Sequence, residues 1–161
     1  MAVSPSESEN DAEAMVSALL TASRLLVAVS ARSLASVEEA LTLPQFRMLV
    51  ALHTRGPLSL SMLAAELDVQ PSTAMRMIDR LVAVGMVLRG TVPSDRRTTL
   101  ISLTDTGRRT VVEATERRRK EIARIVDAMP TARRRELLKA LHAFAEAGAE
   151  PSAAPTALPA W

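Results

Sequence analysis

Pro71-Ser72-Thr73-Ala74-Met75-Arg76-Met77-Ile78-Asp79-Arg80-Leu81-Val82-Ala83-Val84-Gly85 is the stretch on which the fold turns. Pro71 suits the first turn of a helix, where a missing N–H costs little, and Gly85 suits the residue that ends one. Between them Ala74, Ile78, Leu81 and Val82 recur at helical spacing and form an inward stripe. The opposite face carries Ser72, Thr73, Arg76, Asp79 and Arg80. Just upstream, Ser59 can cap a shorter helix carrying Leu60, Leu63 and Leu67, and Asp68-Val69-Gln70 makes a short turn. Two short helices joined in this way match a helix-turn-helix, whose second helix lies in the major groove of DNA.

Downstream, Met86 to Val92 and Thr98 to Leu103 are short β-prone runs around the turn Pro93-Ser94-Asp95-Arg96-Arg97. This is a hairpin pattern with a loop longer than the tightest kind. Arg96 and Arg97 fall at its tip, beside Asp95, which can orient one of them through a bidentate pair. The hydroxyls of Ser72 and Thr73 at a helix N-terminus suit phosphates or base edges, with help from the helix dipole. Arg76 and Arg80 stand one turn apart, and Arg is the commonest reader of guanine in the major groove. The helix pair alone also fits a surface unit with routine charges. The basic ribbon directly behind it tips the reading to duplex DNA, with the helix in the major groove and the ribbon tip at a narrow minor groove.

Long helices flank this unit. Asp11 to about Glu39 has Met15, Leu19, Leu26 and Val29 on one stripe, uninterrupted by Gly or Pro. Leu41-Thr42-Leu43-Pro44-Gln45-Phe46 reads as a helix start, with Thr42 and Gln45 as a capping box and Leu41 and Phe46 as a hydrophobic staple. That helix runs to about Thr54, before Gly56-Pro57. Thr104-Asp105 opens a fifth, long helix, with Asp105 where an anion suits the dipole. Pro130 ends it, and Thr131 caps a sixth helix to about Ala147, bearing Leu137, Leu138, Leu141 and Phe144. The fold class is mostly α with a small β-hairpin wing.

Composition agrees. Two Phe, one Trp and no Tyr in 161 residues leave Leu, Val, Ile, Met and Ala to pack the core, a bias towards helix. A pI near 9.9 accompanies a net charge of only +2, because groups that titrate between pH 7 and 10 are nearly lacking. Charge distribution therefore carries more meaning than net charge. Acidic Glu7, Glu9, Asp11 and Glu13 open the chain, and Arg clusters follow from Arg76 onward. The absence of Cys excludes disulfides, thiolate zinc sites and thiol redox switches. The acidic start lacks the basic region of a signal peptide, and Arg24 and Arg32 interrupt the apolar stretch Ala14–Ala35, so a cytoplasmic protein without a membrane span is expected.

Asp79 to Arg89, through Leu81, Gly85 and Val87, resembles the end of the recognition helix and the first wing strand of the multiple-antibiotic-resistance regulator (MarR) family. Asp95-Arg96-Arg97-Thr98-Thr99-Leu100-Ile101-Ser102-Leu103-Thr104-Asp105-Thr106-Gly107 resembles that family's wing signature: an acidic residue, two basics, an alternating strand, Leu-Thr and then a Gly. The resemblance spans about Asp11 to Ala147. It implies a winged helix-turn-helix with long N- and C-terminal dimerisation helices. The expected division is a disordered tail at 1–10, an N-terminal dimerisation helix at 11–40, a DNA-binding lobe at 41–103, C-terminal dimerisation helices at 104–147 and a disordered tail at 148–161.

The resemblance further implies a homodimeric regulator, a repressor, on a pseudo-palindromic operator in double-stranded DNA. A small amphipathic effector between the dimer helices and the lobe would release it. Ser72, Thr73 and Arg76 go to the DNA face of the recognition helix, where the residue pattern also puts Arg80. Asp95 and Arg97 become paired wing residues, Arg97 in the minor groove and Arg96 nearer phosphate. Arg89 supports the wing. Met75 stands where a polar residue is common in the family; it reads first as a packing side chain and second as a contact for a thymine methyl.

Other features attract attention without carrying function. Arg117-Arg118-Arg119-Lys120 point in four directions on a helix and cannot form one face, and Arg133-Arg134-Arg135 behave alike. His53 and His142 have no partners at metal-ligand spacing, and no catalytic motif is present, so neither an enzyme nor a cofactor is expected. A winged-helix module for protein interaction is the remaining alternative; the basic residues at Arg76, Arg80 and Arg97 disfavour it.

Overall fold

The computed structural model describes residues 5–37, 41–92 and 95–148, with side chains over 9–37, 41–91 and 99–148. Its elements are α1 (Pro5–Ala35), α2 (Leu43–Arg55), β1 (Leu58–Ser59), α3 (Leu60–Glu66), α4 (Pro71–Ala83), β2 (Val87–Val92), β3 (Asp95–Leu103), α5 (Asp105–Asp127) and α6 (Thr131–Ala147).

Caps decide where the helices begin. Thr42 Oγ1 accepts from the Gln45 N–H at 3.4 Å while Gln45 Oε1 accepts from the Thr42 N–H at 2.9 Å, so the expected capping box is present. Ser59 Oγ caps α3 by accepting from the Met62 N–H. Thr104 does the same for α5 through the Gly107 N–H. Thr131, by contrast, is the first helical residue of α6; Pro130 takes the cap position, and no side chain caps that helix. Helix α1 starts at Pro5, ahead of the expected Asp11, and ends at Ala35. Proline in a first turn followed by acidic Glu7 and Glu9 suits a helix start as well as it suits a tail. Residues 38–40, where the sequence pattern ends that helix, and 149–161 of the expected tail lie outside the described residues, as do 1–4.

The core gathers around α2, whose Phe46, Met48, Leu49 and Leu52 are buried. Leu63 of α3, Ala74, Ile78 and Leu81 of α4, Met86, Val87 and Ile101 near the wing base, and Val111 and Ala114 of α5 close over it. Val82, assigned to the inward stripe of α4, is 37% exposed. It lies just past the edge of an apolar face that Ala74, Ile78 and Leu81 fill.

The sheet holds three antiparallel strands in the order β1-β3-β2, in place of the expected two-stranded hairpin. Strand β1 is two residues long, pairing Leu58 with Ile101 and Ser59 with Leu100; two residues carry no legible alternation. Strand β3 begins at Asp95 and not Thr98. Val92 pairs with Asp95 and Thr91 with Thr99, so the register shifts and 96–98 bulge from β3. Arg96 and Arg97 thus lie on an extended, bulged strand rather than in a loop. Their polar composition hides the strand, because strand propensity favours the β-branched residues that start only at Thr98.

The wing base is tightly built. Gly85 has φ +71°, a conformation that favours glycine, and turns the chain from α4 into the wing. The Met86 carbonyl accepts from the Thr104 N–H at 3.1 Å, and Thr104 Oγ1 donates to the Gly85 carbonyl at 2.7 Å. A Cβ on Gly107 would lie 2.2 Å from the Met86 carbonyl oxygen. Gly107→Ala is expected to destabilise the protein by about 3 kcal/mol, the upper end of overpacking costs. Gly90→Ala, with nothing within 4 Å of its Cβ, should change stability by less than about 0.5 kcal/mol. Denaturant unfolding of the two variants checks this.

Candidate nucleic-acid interface

Helix α4 presents two unlike faces because its apolar residues recur every three to four positions. Ala74, Ile78 and Leu81 are essentially fully buried. Ser72, Arg76, Asp79 and Arg80 are exposed, and Thr73 is half-buried. Arg76 Nη2 lies 3.4 Å from Thr73 Oγ1, one turn away. The outward residues do not form one cluster. Ser72 and Arg76 line an open cleft with Leu60, Pro71 and Met75. Arg80 lines a different one, beside Leu41 and Thr42 at the start of α2.

The wing braces this helix. Arg89 on β2 forms an ion pair with Asp79, and its Nη2 also lies 3.7 Å from Met75 Sδ. Arg89 therefore supports the wing, as expected, and Asp79 is engaged within the protein. Sequence reasoning missed this pairing, since residues ten apart across the Gly85 turn share no local pattern. Met75, read first as a packing residue, is 43% exposed. The backbones of Asp95, Arg96 and Arg97 belong to β3; their side chains lie outside the described residues.

Elsewhere, charge is used structurally. Arg117 pairs with Glu113 on its own helix and Arg133 with Glu136, while Arg134 donates to the Met129 and Asp127 carbonyls at the end of α5. Burial lowers the pKa of Arg118. Arg117, Arg133 and Arg134 of the chain's basic runs are thus engaged within the protein. Among the described residues no three His, Cys, Asp or Glu side chains gather as a metal site.

A family model described as "MarR family" matches residues 41–99. The crystal structure of RV1404 from Mycobacterium tuberculosis is 52% identical, covers 89% of this chain and 97% of that one, and superposes with a TM-score of 0.80. The chain belongs to the MarR family. The uncharacterized HTH-type transcriptional regulator YhbI of Bacillus subtilis (strain 168) is 34% identical over 74 residues. That match takes in 46% of this chain and spans about half, 48%, of the relative's own length. A single-residue mutant of MepR from S. aureus, bound to an oligodeoxyribonucleotide, shares the fold at 16% identity, with a TM-score of 0.64 over 83% of this chain and 96% of that one. As a MarR-family transcription regulator the chain has the DNA-binding winged-helix fold, and the family is one of regulators rather than enzymes.

Asp79 and Arg89 are 56% and 40% exposed, so solvent weakens their attraction. An Asp79→Asn, Arg89→Gln double-mutant cycle should therefore give no more than about 1 kcal/mol of coupling. Burial, then the positive charge of Arg108, lowers the His53 pKa below its ordinary value of 6.5. The unfolded chain then binds the proton more readily, so stability is full above that pH and declines as pH falls through it. Thermal unfolding should show a fall in Tm below pH 6.5 that is smaller in His53→Gln.

Proposed function

We propose that two copies of this chain form a homodimer that binds a pseudo-palindromic operator in double-stranded DNA and represses transcription. The observation that carries the reading is the division of α4, with Ala74, Ile78 and Leu81 buried and Ser72, Arg76 and Arg80 facing out. A helix so divided, ahead of a basic ribbon, enters the major groove with its N-terminal residues at the base edges. Ser72, Thr73 and Arg76 then meet bases and adjoining phosphates. Arg80, a turn further along and beside the start of α2, meets the sugar-phosphate backbone. Asp95, Arg96 and Arg97 carry the wing contacts, with Arg97 in the minor groove.

The homodimer is supported by apolar surface that the single chain leaves uncovered. No residue of α6 is buried, and its Leu137, Leu138, Leu141 and Phe144 are 40–56% exposed. Helix α1 likewise exposes Met15, Val16 and Leu20. A surface of this kind marks a protein or membrane contact. By length and composition Glu9–Ala35 is apolar enough to cross a membrane. Arg24 and Arg32 interrupt it, however, and Arg32 is bonded to Glu121 of α5, which favours packing on protein in the cytoplasm.

The family resemblance supports release by a small amphipathic effector. A cleft of about 610 Å³ between α1 and α5 is of ligand size. Arg32 of α1 lines it together with Glu113, Glu116, Lys120, Glu121 and Arg124 of α5, a charged lining that suits an ionised group on the effector. Such a ligand releases DNA only as far as it prefers a lobe spacing that fits DNA poorly.

The test is binding of the purified protein to DNA from upstream of its own gene and to scrambled DNA across a salt series. Sequence-preferring binding that weakens steeply with salt is expected. Arg97→Ala should weaken it by roughly tenfold to a hundredfold. Binding to neither DNA at low salt would overturn the reading.

A further inference from the structure

The cleft at the N-terminal end of α4 is unusual for a surface meant to meet DNA, because three of its five lining residues are apolar: Leu60, Pro71 and Met75. Ser72 and Arg76 complete it. Leu60, at the start of α3, is half-buried, and Met75 is 43% exposed. The fold itself does not need this Met side chain, since the core of α4 is filled by Ala74, Ile78 and Leu81.

Met75 is nevertheless held. Its sulfur lies 3.7 Å from Arg89 Nη2, and the same guanidinium is anchored by Asp79. A side chain with three rotatable bonds, normally adaptable, is thereby steered beside Ser72 and Arg76. The polar rim and the helix N-terminus favour phosphate and base-edge acceptors around an apolar floor. Among groups displayed in the major groove, the only apolar one is the C5-methyl of thymine.

We propose that the Leu60–Pro71–Met75 cleft receives a thymine methyl group, making Met75 a specificity-determining residue and Arg89 the residue that positions it. The inference rests on the DNA-binding reading above. It adds a thymine preference at one position of each half-site, alongside whatever Arg76 selects. Burying one methyl is worth about fourfold in affinity, which is discrimination and not bulk affinity.

The experiment uses the full chain and a duplex selected from a random pool, in which each thymine of the half-site is replaced in turn by deoxyuridine, removing only the methyl. At one thymine per half-site, wild-type affinity should fall about fourfold. Met75→Ala should bind the two duplexes equally, and Met75→Leu should keep the preference. Arg89→Gln should reduce the thymine-over-uracil ratio even where its overall binding survives, a readout that mere loss of wing stability would not move. Tight, salt-sensitive binding with no deoxyuridine effect at any thymine overturns the methyl inference and leaves the regulator reading intact, as does a Met75→Ala protein that still distinguishes the duplexes. A wild-type chain that selects no duplex overturns both.

Discussion

The Met86 carbonyl is the point through which the lobe is assembled. It accepts the Thr104 N–H, presses on Gly107 where a Cβ would not fit, and follows the left-handed turn at Gly85. The last turn of α4, the base of the wing and the first turn of α5 therefore meet within a few ångströms of one backbone oxygen. Thr104 adds a second tie to the Gly85 carbonyl while capping α5. A helix-turn-helix and a ribbon can each form locally. Their mutual angle, on which any simultaneous contact with two grooves depends, is set here.

From that junction outwards, two kinds of surface separate. The core around α2 is sealed by aliphatic side chains and Phe46, leaving the outward face of α4 free to carry hydroxyl and guanidinium groups. The ends of the chain do the reverse. No residue of α6 is buried and α1 exposes a long apolar face, so both present surface of the kind that marks a protein or membrane contact. On α5 and α6, Arg117 and Arg133 are engaged in ion pairs and Arg134 bonds to carbonyls at a helix end, while Arg76 and Arg80 stand exposed on the outer face of α4.

Much of this was legible because it is written in short-range patterns. The capping box at Thr42 and Gln45, the Ser59 and Thr104 caps, the Gly85 terminus and the period of Ala74, Ile78 and Leu81 all act within a few residues, where sequence order and spatial order coincide. What escaped depends on distant partners or on weak local preference. Strand β1 exists because Leu58 meets Ile101, and nothing in two residues announces it. The strand at Asp95–Arg97 is hidden by polar composition, and Thr131 looks like a cap because Pro130, which takes that position, is an uncommon choice for it. The bond between Asp79 and Arg89 required the wing to fold back on α4. Val82 and Met75 mark the edge of a helical face, where a 3.6-residue period alone cannot say whether a side chain is covered.

Helix α5 is deeply buried at one end only. Its buried residues, Gly107 to Thr115, lie in the first half, and the rest of its 23 residues run on towards α6. At 1.5 Å per residue it is a rod about 35 Å long, clamped to the wing by Thr104. Pivoting such a rod by about 10° sweeps its far end through roughly 6 Å, close to two base-pair steps of about 3.4 Å. In the proposed homodimer, small adjustments at the far ends of these rods would thus be geared into whole-base-pair changes of reach, without any rearrangement inside either lobe.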